Sequence, residues 1–186
     1  MGYHTFNAAK ADRLEDAARR YRYLSCEELV AALEPTEDDV VADFGSGTGF
    51  YTDDVAPHVE TVYAVDLQEE MHERYREKGI PENVQLVTSD VTDLPFDDDQ
   101  LDAVFSTMTY HEFASDAATD ELVRVIGEGG LVVVADWSAD GAGESGPPTD
   151  ERYAERDVVE ALEAVGFEVI STQTRPETFL VVGRAK

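Results

Sequence analysis

The central part of the chain alternates short apolar runs with longer stretches in which apolar positions recur at helical spacing. The apolar runs predict β-strands at residues 40–44, 61–65, 84–88, 101–106 and 131–136. The stretches between them predict helices at about residues 51–59, 68–78 and 112–126. Apolar strands that alternate with helices are typical of a parallel sheet covered on both faces, so this pattern predicts an α/β fold.

The C-terminal part of the chain follows a different pattern. A helix is predicted at residues 154–165, and Gly166 ends it. Two further strands are predicted at residues 167–173 and 178–183, and only residues 174–177 connect them. So short a connection permits an antiparallel hairpin and forbids a parallel crossover. The sheet is therefore predicted to be mostly parallel and to end in one antiparallel pair.

The residues before the first predicted strand have a helical pattern. Apolar residues recur at helical spacing in residues 8–24, and a second helical stretch follows at residues 27–33. Ser25 and Glu28 have the spacing of a capping box for that second helix, and Pro35 ends it. We predict a helical cap at residues 1–36 and one compact unit at residues 37–186.

Composition narrows the class of protein. A chain of 186 residues with 42% hydrophobic residues has the size and apolar content of one globular domain. The longest apolar runs are too short for a membrane span, and the N-terminus lacks the apolar core of a signal peptide. Cys26 is the single cysteine, which excludes an intramolecular disulfide and a cysteine-rich metal site. We expect a cytoplasmic protein that contacts no membrane and holds no metal.

The chain carries a large negative charge, with 41 Asp and Glu against 14 Lys and Arg and a net charge of -27. The acidic residues are spread along the whole sequence, which favours a solvated acidic surface and leaves a basic partner as the alternative. This composition resembles that of cytosolic proteins from salt-loving microbes. Direct nucleic-acid binding is disfavoured, because phosphate contacts need clustered Lys and Arg.

Salt is therefore expected to stabilise the protein. In molar salt the Debye length falls to about 3 Å, which screens most of the repulsion between carboxylates. The melting temperature should rise as KCl is increased from dilute to molar. Thermal unfolding followed by circular dichroism measures this, and a melting temperature that does not respond to KCl contradicts the expectation.

A glycine-rich turn follows the first predicted strand, in the sequence Asp43-Phe44-Gly45-Ser46-Gly47-Thr48-Gly49-Phe50. Glycines between a strand and a helix let the backbone and the free helix N–H groups approach a ligand. The dinucleotide fingerprint needs a glycine where Phe50 stands, and the phosphate-binding P-loop motif is absent. Phe50 and Asp43 together disfavour a nicotinamide-dependent reductase.

Two aspartates at predicted strand ends sharpen the choice of ligand. Asp43 would repel a pyrophosphate and attract an ammonium group. Asp66 ends the second strand, about twenty residues after the turn, where an acid suits the two hydroxyls of a ribose. S-adenosylmethionine combines a ribose with an ammonium and a sulfonium and has no phosphate. The turn and the two acids together favour this ligand.

These segments resemble the ordered motifs of class I S-adenosylmethionine-dependent methyltransferases. The resemblance covers roughly residues 38–140 and is strongest to the type 11 set, which includes ubiquinone and menaquinone methyltransferases. It implies a Rossmann-like, seven-stranded sheet of order 3-2-1-4-5-7-6 with strand 7 antiparallel, which agrees with the predicted hairpin. It also implies S-adenosyl-L-methionine as the cofactor.

The resemblance assigns roles to particular residues. The methionine part of the cofactor would lie against Asp43, Gly45, Ser46, Gly47, Gly49 and Thr107. The ribose would bind Asp66 and the adenine would contact Leu67, Asp90 and Val91. In related enzymes the N-terminal segment folds over the cleft as a lid. In this chain that segment contains Tyr3, His4, Phe6, Tyr21 and Tyr23. The alternative for Tyr21 and Tyr23 is that they only pack a helix on the sheet.

The chemistry of methyl transfer needs alignment, and a general base only if the acceptor must lose a proton. Tyr110, His111 and Glu112, just after the fourth strand, are the candidate catalytic residues, since ligands of open α/β sheets bind at that edge. Three roles are open for His111: a general base, a hydrogen-bond donor that orients the methyl acceptor, or a residue at the start of a helix without a role in catalysis. Trp137 and the Gly146-Pro147-Pro148 loop are predicted to form another wall of the acceptor pocket.

Several functions remain open. The leading prediction is a methyltransferase of a small metabolite, because the [DN]-P-P-[YFW] signature of amide and base methyltransferases is missing. A second is a methyltransferase of RNA or a translation protein that works with a small activator protein, which would pair with the predicted edge strand Val84–Thr88. A homodimer is a further option for that edge. A third is a protein that binds S-adenosylmethionine without catalysis.

Overall fold

A computed structural model describes residues 8–186, in which seven strands form one sheet. The strands are β1 (Val40–Phe44), β2 (Thr61–Asp66), β3 (Val84–Thr88), β4 (Leu101–Thr107), β5 (Ile126–Trp137), β6 (Glu168–Thr174) and β7 (Thr178–Arg184). Their order across the sheet is β3-β2-β1-β4-β5-β7-β6. All neighbours are parallel except β7, which is antiparallel to both β5 and β6. The predicted fold, strand order and C-terminal hairpin are confirmed.

Seven α-helices accompany the strands in the described residues. They are α1 (Ala17–Arg20), α2 (Cys26–Leu33), α3 (Phe50–Val55), α4 (Glu69–Lys78), α5 (Tyr110–Phe113), α6 (Asp116–Val125) and α7 (Glu155–Ala164). Short 3-10 turns occur at Ala8–Glu15, Ala56–His58 and Thr149–Glu151. No helix in residues 8–186 is long and apolar enough to cross a membrane.

The two faces of the sheet bury separate apolar layers, because consecutive side chains of a strand point to opposite faces. In β5, Val132 and Val134 pack in one layer with residues of α5, α6 and α7, such as Leu122 and Leu162. Val133 packs in the other layer with residues of α2, α3 and α4. Since strands buried on both faces have no polar alternation, this packing explains the continuous apolar runs of the sequence.

Local capping fixes the start of α2. The Ser25 hydroxyl accepts a hydrogen bond from Glu28 N, and the Glu28 carboxylate accepts one from Ser25 N at 2.9 Å. The predicted capping box is therefore present, and α2 ends at Leu33 before Pro35. Upstream, the predicted continuous helix is divided: the Asp16 carboxylate accepts from Arg19 N at 3.1 Å and starts α1 as a separate helix. Three of the five residues of the predicted lid, Tyr3, His4 and Phe6, lie outside the described residues.

Candidate active site

A cavity lies at the carboxyl ends of the central parallel strands, where ligands of open α/β sheets bind. We call it the first cavity. Eight of the ten predicted cofactor-binding residues line it, namely Gly45, Ser46, Gly47, Asp66, Leu67, Asp90, Val91 and Thr107. Leu67 is a large apolar side chain that remains 53% exposed at this edge. The structure thus brings the residues from four separate loops to one place.

The glycine-rich turn needs glycine for two physical reasons. Gly45 and Gly49 both have positive φ, +77° and +78°, which side-chain-bearing residues adopt at a cost. A Cβ on Gly45 would also lie 2.3 Å from Thr109 Cγ2, and one on Gly49 would lie 2.1 Å from Tyr75 Cε1. Gly49 does not line the cavity, so its role in this structure is close packing of the turn against α4.

Asp66 connects the end of β2 to the glycine-rich turn. Its carboxylate accepts hydrogen bonds from the backbone N–H groups of Gly47 and Gln68, each at 2.8 Å. Burial raises the pKa of Asp66 from its ordinary value, although these two N–H donors act in the opposite direction. Asp66 lines the first cavity, and a carboxylate has further lone pairs that can accept hydrogen bonds from ligand hydroxyls.

Asp43 lies behind the cavity wall and does not line it. The side chain is 1% exposed, and its Oδ2 accepts a hydrogen bond from the Thr52 hydroxyl at 2.7 Å. Burial raises the pKa of Asp43 to about 7, while the Thr52 hydrogen bond and the charge of Arg20 oppose that shift. Its Oδ1 is buried without a hydrogen-bond partner in the described part of the chain. Direct contact between Asp43 and the ligand therefore stays a prediction.

The residues of the first cavity fit S-adenosylmethionine. The glycine turn leaves space that side chains would fill, and Ser46 Oγ, which lines the cavity, has no hydrogen-bond partner among the described residues. Arg20 lines the cavity and brings a positive charge that suits a ligand carboxylate, whereas a contact between a ligand ammonium and Asp43 stays a prediction. Asp90 is held in place by Thr92, whose N–H and hydroxyl donate to Asp90 Oδ1 at 2.9 and 2.8 Å.

A second cavity of about 360 Å³ adjoins the first. Four residues line both cavities, namely Leu14, Arg20, Met108 and Glu112. Trp137, Gly146 and Pro147 of the predicted wall line the second cavity, whereas Pro148 does not. Met108, at the junction, has a φ of 60°, an unusual conformation for a residue with a side chain and one that clusters at functional sites.

His111 and Asp136 form a hydrogen-bonded pair at the second cavity. His111 Nδ1 lies 3.0 Å from both carboxylate oxygens of Asp136, and His111 N donates to Asp136 Oδ2 at 2.7 Å. Burial alone would lower the pKa of His111, but the hydrogen bond and charge of Asp136, with Glu112 and Glu151, raise it above its ordinary value. Because Asp136 occupies Nδ1, the other ring nitrogen is the one left for chemistry.

The three predicted catalytic residues have different positions. His111 lines the second cavity and Glu112 lines both. Tyr110 lines neither: its ring is buried against Phe113 and Tyr153, and burial raises its pKa to about 12. The side chain of Tyr110 thus lies in the core and away from both cavities, and a catalytic role for it stays a prediction that this geometry does not support.

The N-terminal segment runs over the junction of the cavities. Leu14 lines both cavities, and the Glu15 carboxylate accepts a hydrogen bond from the Thr48 hydroxyl of the glycine-rich turn. Tyr21 donates to Asp54 of α3 at 2.9 Å, whereas the Tyr23 ring packs against Trp137 with centroids 4.7 Å apart. Tyr21 thus packs on a helix, and Tyr23 lines the second cavity. A lid function for this segment remains a prediction.

An ion pair that the sequence did not indicate anchors the loop over the second cavity. The guanidinium of Arg152 lies 3.3 Å from Glu177 and donates to the carbonyls of Pro147, Ser138 and Ser145. The Glu177 carboxylate in turn accepts from the backbone N–H groups of the loop at 143 and 144. These hydrogen bonds hold the loop that carries Gly146 and Pro147 against Trp137, so this wall of the second cavity has a fixed position.

The sheet order and the two cavities define an α/β protein of the S-adenosylmethionine-dependent methyltransferase class. The family described as "Methyltransferase domain" matches residues 42–134, which is half of the chain, and the chain belongs to this family. S-adenosyl-L-methionine is accordingly its cofactor. The halophile origin that the composition favours has no further support from this match.

Individual proteins agree with this assignment. A demethylmenaquinone methyltransferase of Clavibacter sepedonicus is 36% identical over 110 residues, which are 58% of this chain and 44% of that protein. The chain therefore spans less than half the length of this relative.

The crystal structure of a SAM dependent methyltransferase from Aquifex aeolicus matches 98% of this chain and 100% of its own, with a TM-score of 0.86 and 29% identity. A methyltransferase of Haloferax volcanii, solved in complex with the Trm112 methyltransferase activator, matches 96% of both chains with a TM-score of 0.78 and 20% identity, which supports the fold alone.

Proposed function

We propose that the protein transfers a methyl group from S-adenosyl-L-methionine to a small metabolite bound in the second cavity. One observation carries this proposal: the two cavities meet at Leu14, Arg20, Met108 and Glu112. A donor held on the glycine-rich turn and an acceptor held beside His111 would therefore lie next to each other where the two cavities adjoin. Positioning of two reactants in this way supplies a large part of the acceleration of a displacement reaction.

The first cavity would hold the donor through the residues that line it. When bound, S-adenosylmethionine supplies a methyl group that is already activated by a positively charged sulfur. Asp66 would bind the ribose hydroxyls, Leu67 would lie against the adenine, Asp90 would accept from the adenine amino group and Val91 would donate its N–H to the ring. Ser46, the turn glycines and Thr107 would hold the methionine part.

His111 would accept the proton of a protic acceptor, such as a hydroxyl or an amine. Asp136 holds the imidazole through Nδ1–H, so the remaining nitrogen is the unprotonated one in the neutral ring. The Asp136 charge then stabilises the imidazolium that forms. Glu112 lies with Oε1 4.0 Å from His111 Nε2 and adds to that stabilisation.

The test combines binding with an unbiased search for the acceptor. Calorimetry with S-adenosylhomocysteine, the demethylated product, measures whether the first cavity binds its predicted ligand. Incubation of the protein with radiolabelled S-adenosylmethionine and fractionated cell extract should then label a small molecule, and boiled protein is the control. Label that appears only in macromolecules contradicts a small-metabolite acceptor, and binding without any labelled product favours a non-catalytic binding protein.

A second candidate is a methyltransferase of RNA or a translation protein that needs an activator subunit. The position of β3 favours it, since Val84–Thr88 is the outermost strand of the sheet and has backbone groups available for pairing. The Haloferax volcanii neighbour is in complex with such an activator. Coexpression with a candidate activator should increase solubility and give a complex on gel filtration, whereas a soluble, active chain that does not bind it contradicts this candidate.

A further inference from the structure

We propose that the acceptor carries an anionic group on an aromatic or apolar frame, and that Arg13 and Arg19 bind this anion in the second cavity. The proposal rests on the proposed function and adds the chemical class of the acceptor to it. Both arginines line the second cavity, and neither lines the first.

Arg13 and Arg19 are arginines without an ion pair that line the second cavity only; Arg20 and Arg22 also form no ion pair among the described residues, but Arg20 lines both cavities and Arg22 lines neither. Seven other arginines each lie within 4.0 Å of a carboxylate, namely Arg74, Arg76, Arg124, Arg152, Arg156, Arg175 and Arg184. Arg13 and Arg19 form no ion pair within the described residues, in a chain that has 41 acidic side chains. Since carboxylates are abundant here, positive groups left without one are available for an external anion.

The second cavity also concentrates positive charge against the trend of the whole molecule. Three of the 14 basic residues line it, Arg13, Arg19 and Arg20, against two of the 41 acidic ones, Glu112 and Glu151. A net charge of -27 repels an anionic ligand at long range. A local group of guanidinium groups, which bind carboxylates and phosphates through paired N–H donors, is the feature that can overcome this repulsion.

The remaining walls of the second cavity suit an aromatic or apolar body. Tyr23 and Trp137 pack edge to face with centroids 4.7 Å apart, and Pro147 lies beside them on the lining. Arg20 packs over the Tyr51 ring at 4.7 Å, and its Nε is buried without a hydrogen-bond partner in the described residues. Because Arg20 lines both cavities, it can bind either the methyl donor or the acceptor. Arg13 and Arg19 line only the second cavity, so substitutions of these two residues test binding of the acceptor alone.

The experiment uses the fluorescence of Trp137, the only tryptophan of the chain, which lines the second cavity. With S-adenosylhomocysteine bound, the protein is titrated with benzoate, with phenyl phosphate and with the neutral analogue benzamide. At least one of the two anions should bind about tenfold or more tightly than benzamide, as expected for charge-assisted hydrogen bonds. The tighter of the two anions identifies the acceptor group as a carboxylate or a phosphate.

The matched variants are Arg13→Gln/Arg19→Gln and Arg22→Gln. The double variant should lose the preference for the anion, so that its ratio of affinities falls to about one. Arg22 lies outside both cavities and forms no ion pair among the described residues, so Arg22→Gln should keep the preference. Calorimetry should give the same S-adenosylhomocysteine affinity in all of these proteins.

Three outcomes overturn the proposal. Benzamide binds as tightly as the anions, or the double variant keeps the preference, or the double variant loses S-adenosylhomocysteine affinity in step with it, which would assign the arginines to the donor. If the wild-type protein does not bind S-adenosylhomocysteine, the proposed function fails separately, and the same titrations without that ligand still measure whether Arg13 and Arg19 bind an anion.

Discussion

Asp66→Ala is expected to weaken the binding of S-adenosylhomocysteine by at least about 100-fold. A hydrogen bond to a charged group contributes roughly 1.5–3 kcal/mol, and the ribose would donate two of them to this carboxylate. The substitution also removes the acceptor of the Gly47 and Gln68 N–H groups, each 2.8 Å from Asp66. Loss of that support loosens the glycine-rich turn that holds the methionine part.

Calorimetry on purified variants, in salt that keeps them folded, measures this effect. Asp66→Asn should fall between wild type and Asp66→Ala, since the amide keeps an oxygen acceptor and loses the charge. Asp102→Ala is the matched control: Asp102 also accepts from a backbone N–H, that of Val40 at 2.8 Å, but at the amino end of β1. An Asp66→Ala affinity within threefold of wild type contradicts the assignment of this residue to the ribose.

Most strands could be predicted from the sequence because buried strands form continuous apolar runs. Element boundaries that depend on tertiary contacts could not be predicted in this way. β1 and β3 have the predicted boundaries. β5 begins at Ile126, earlier than predicted, because Gly127, Gly129 and Gly130 have no side-chain pattern to reveal a strand. The helix predicted at 112–126 is two helices, since Ser115 caps α6 by accepting from Ala118 N.

The candidate site was predictable where it depends on local sequence. The glycine-rich turn and the acids at strand ends follow from the chain order of strand, loop and helix. Asp136 was missed, because its contact with His111 joins residues 25 positions apart. The arginines of the second cavity were missed because the resemblance placed the N-terminal segment over the cleft without telling which of its side chains line the cavity. Asp43 was placed on the correct strand, but its burial depends on how Thr52 packs against it.

His111→Ala is expected to lower kcat by roughly 10²–10⁴-fold, the usual contribution of a positioned general base. This kcat is measured with the methyl acceptor that the radiolabelling experiment identifies. Affinity for S-adenosylhomocysteine should change little, because His111 lines the second cavity and not the first. His58→Ala, at an exposed histidine outside both cavities, is the matched control and should keep wild-type turnover.

The pH dependence separates a general base from a structural histidine. A base works in its neutral form, so activity should fall as pH decreases through the pKa of His111. Asp136 helps to raise that pKa above the ordinary value of 6.5, so the wild-type acid limb should lie above pH 6.5. In Asp136→Asn the raising charge is lost, so the limb should move to lower pH while the plateau rate also falls, because the ring loses its orienting carboxylate. A limb that stays in place in Asp136→Asn, or full turnover in His111→Ala, would remove this pair from the chemistry and leave alignment of the two cavities as the source of the rate.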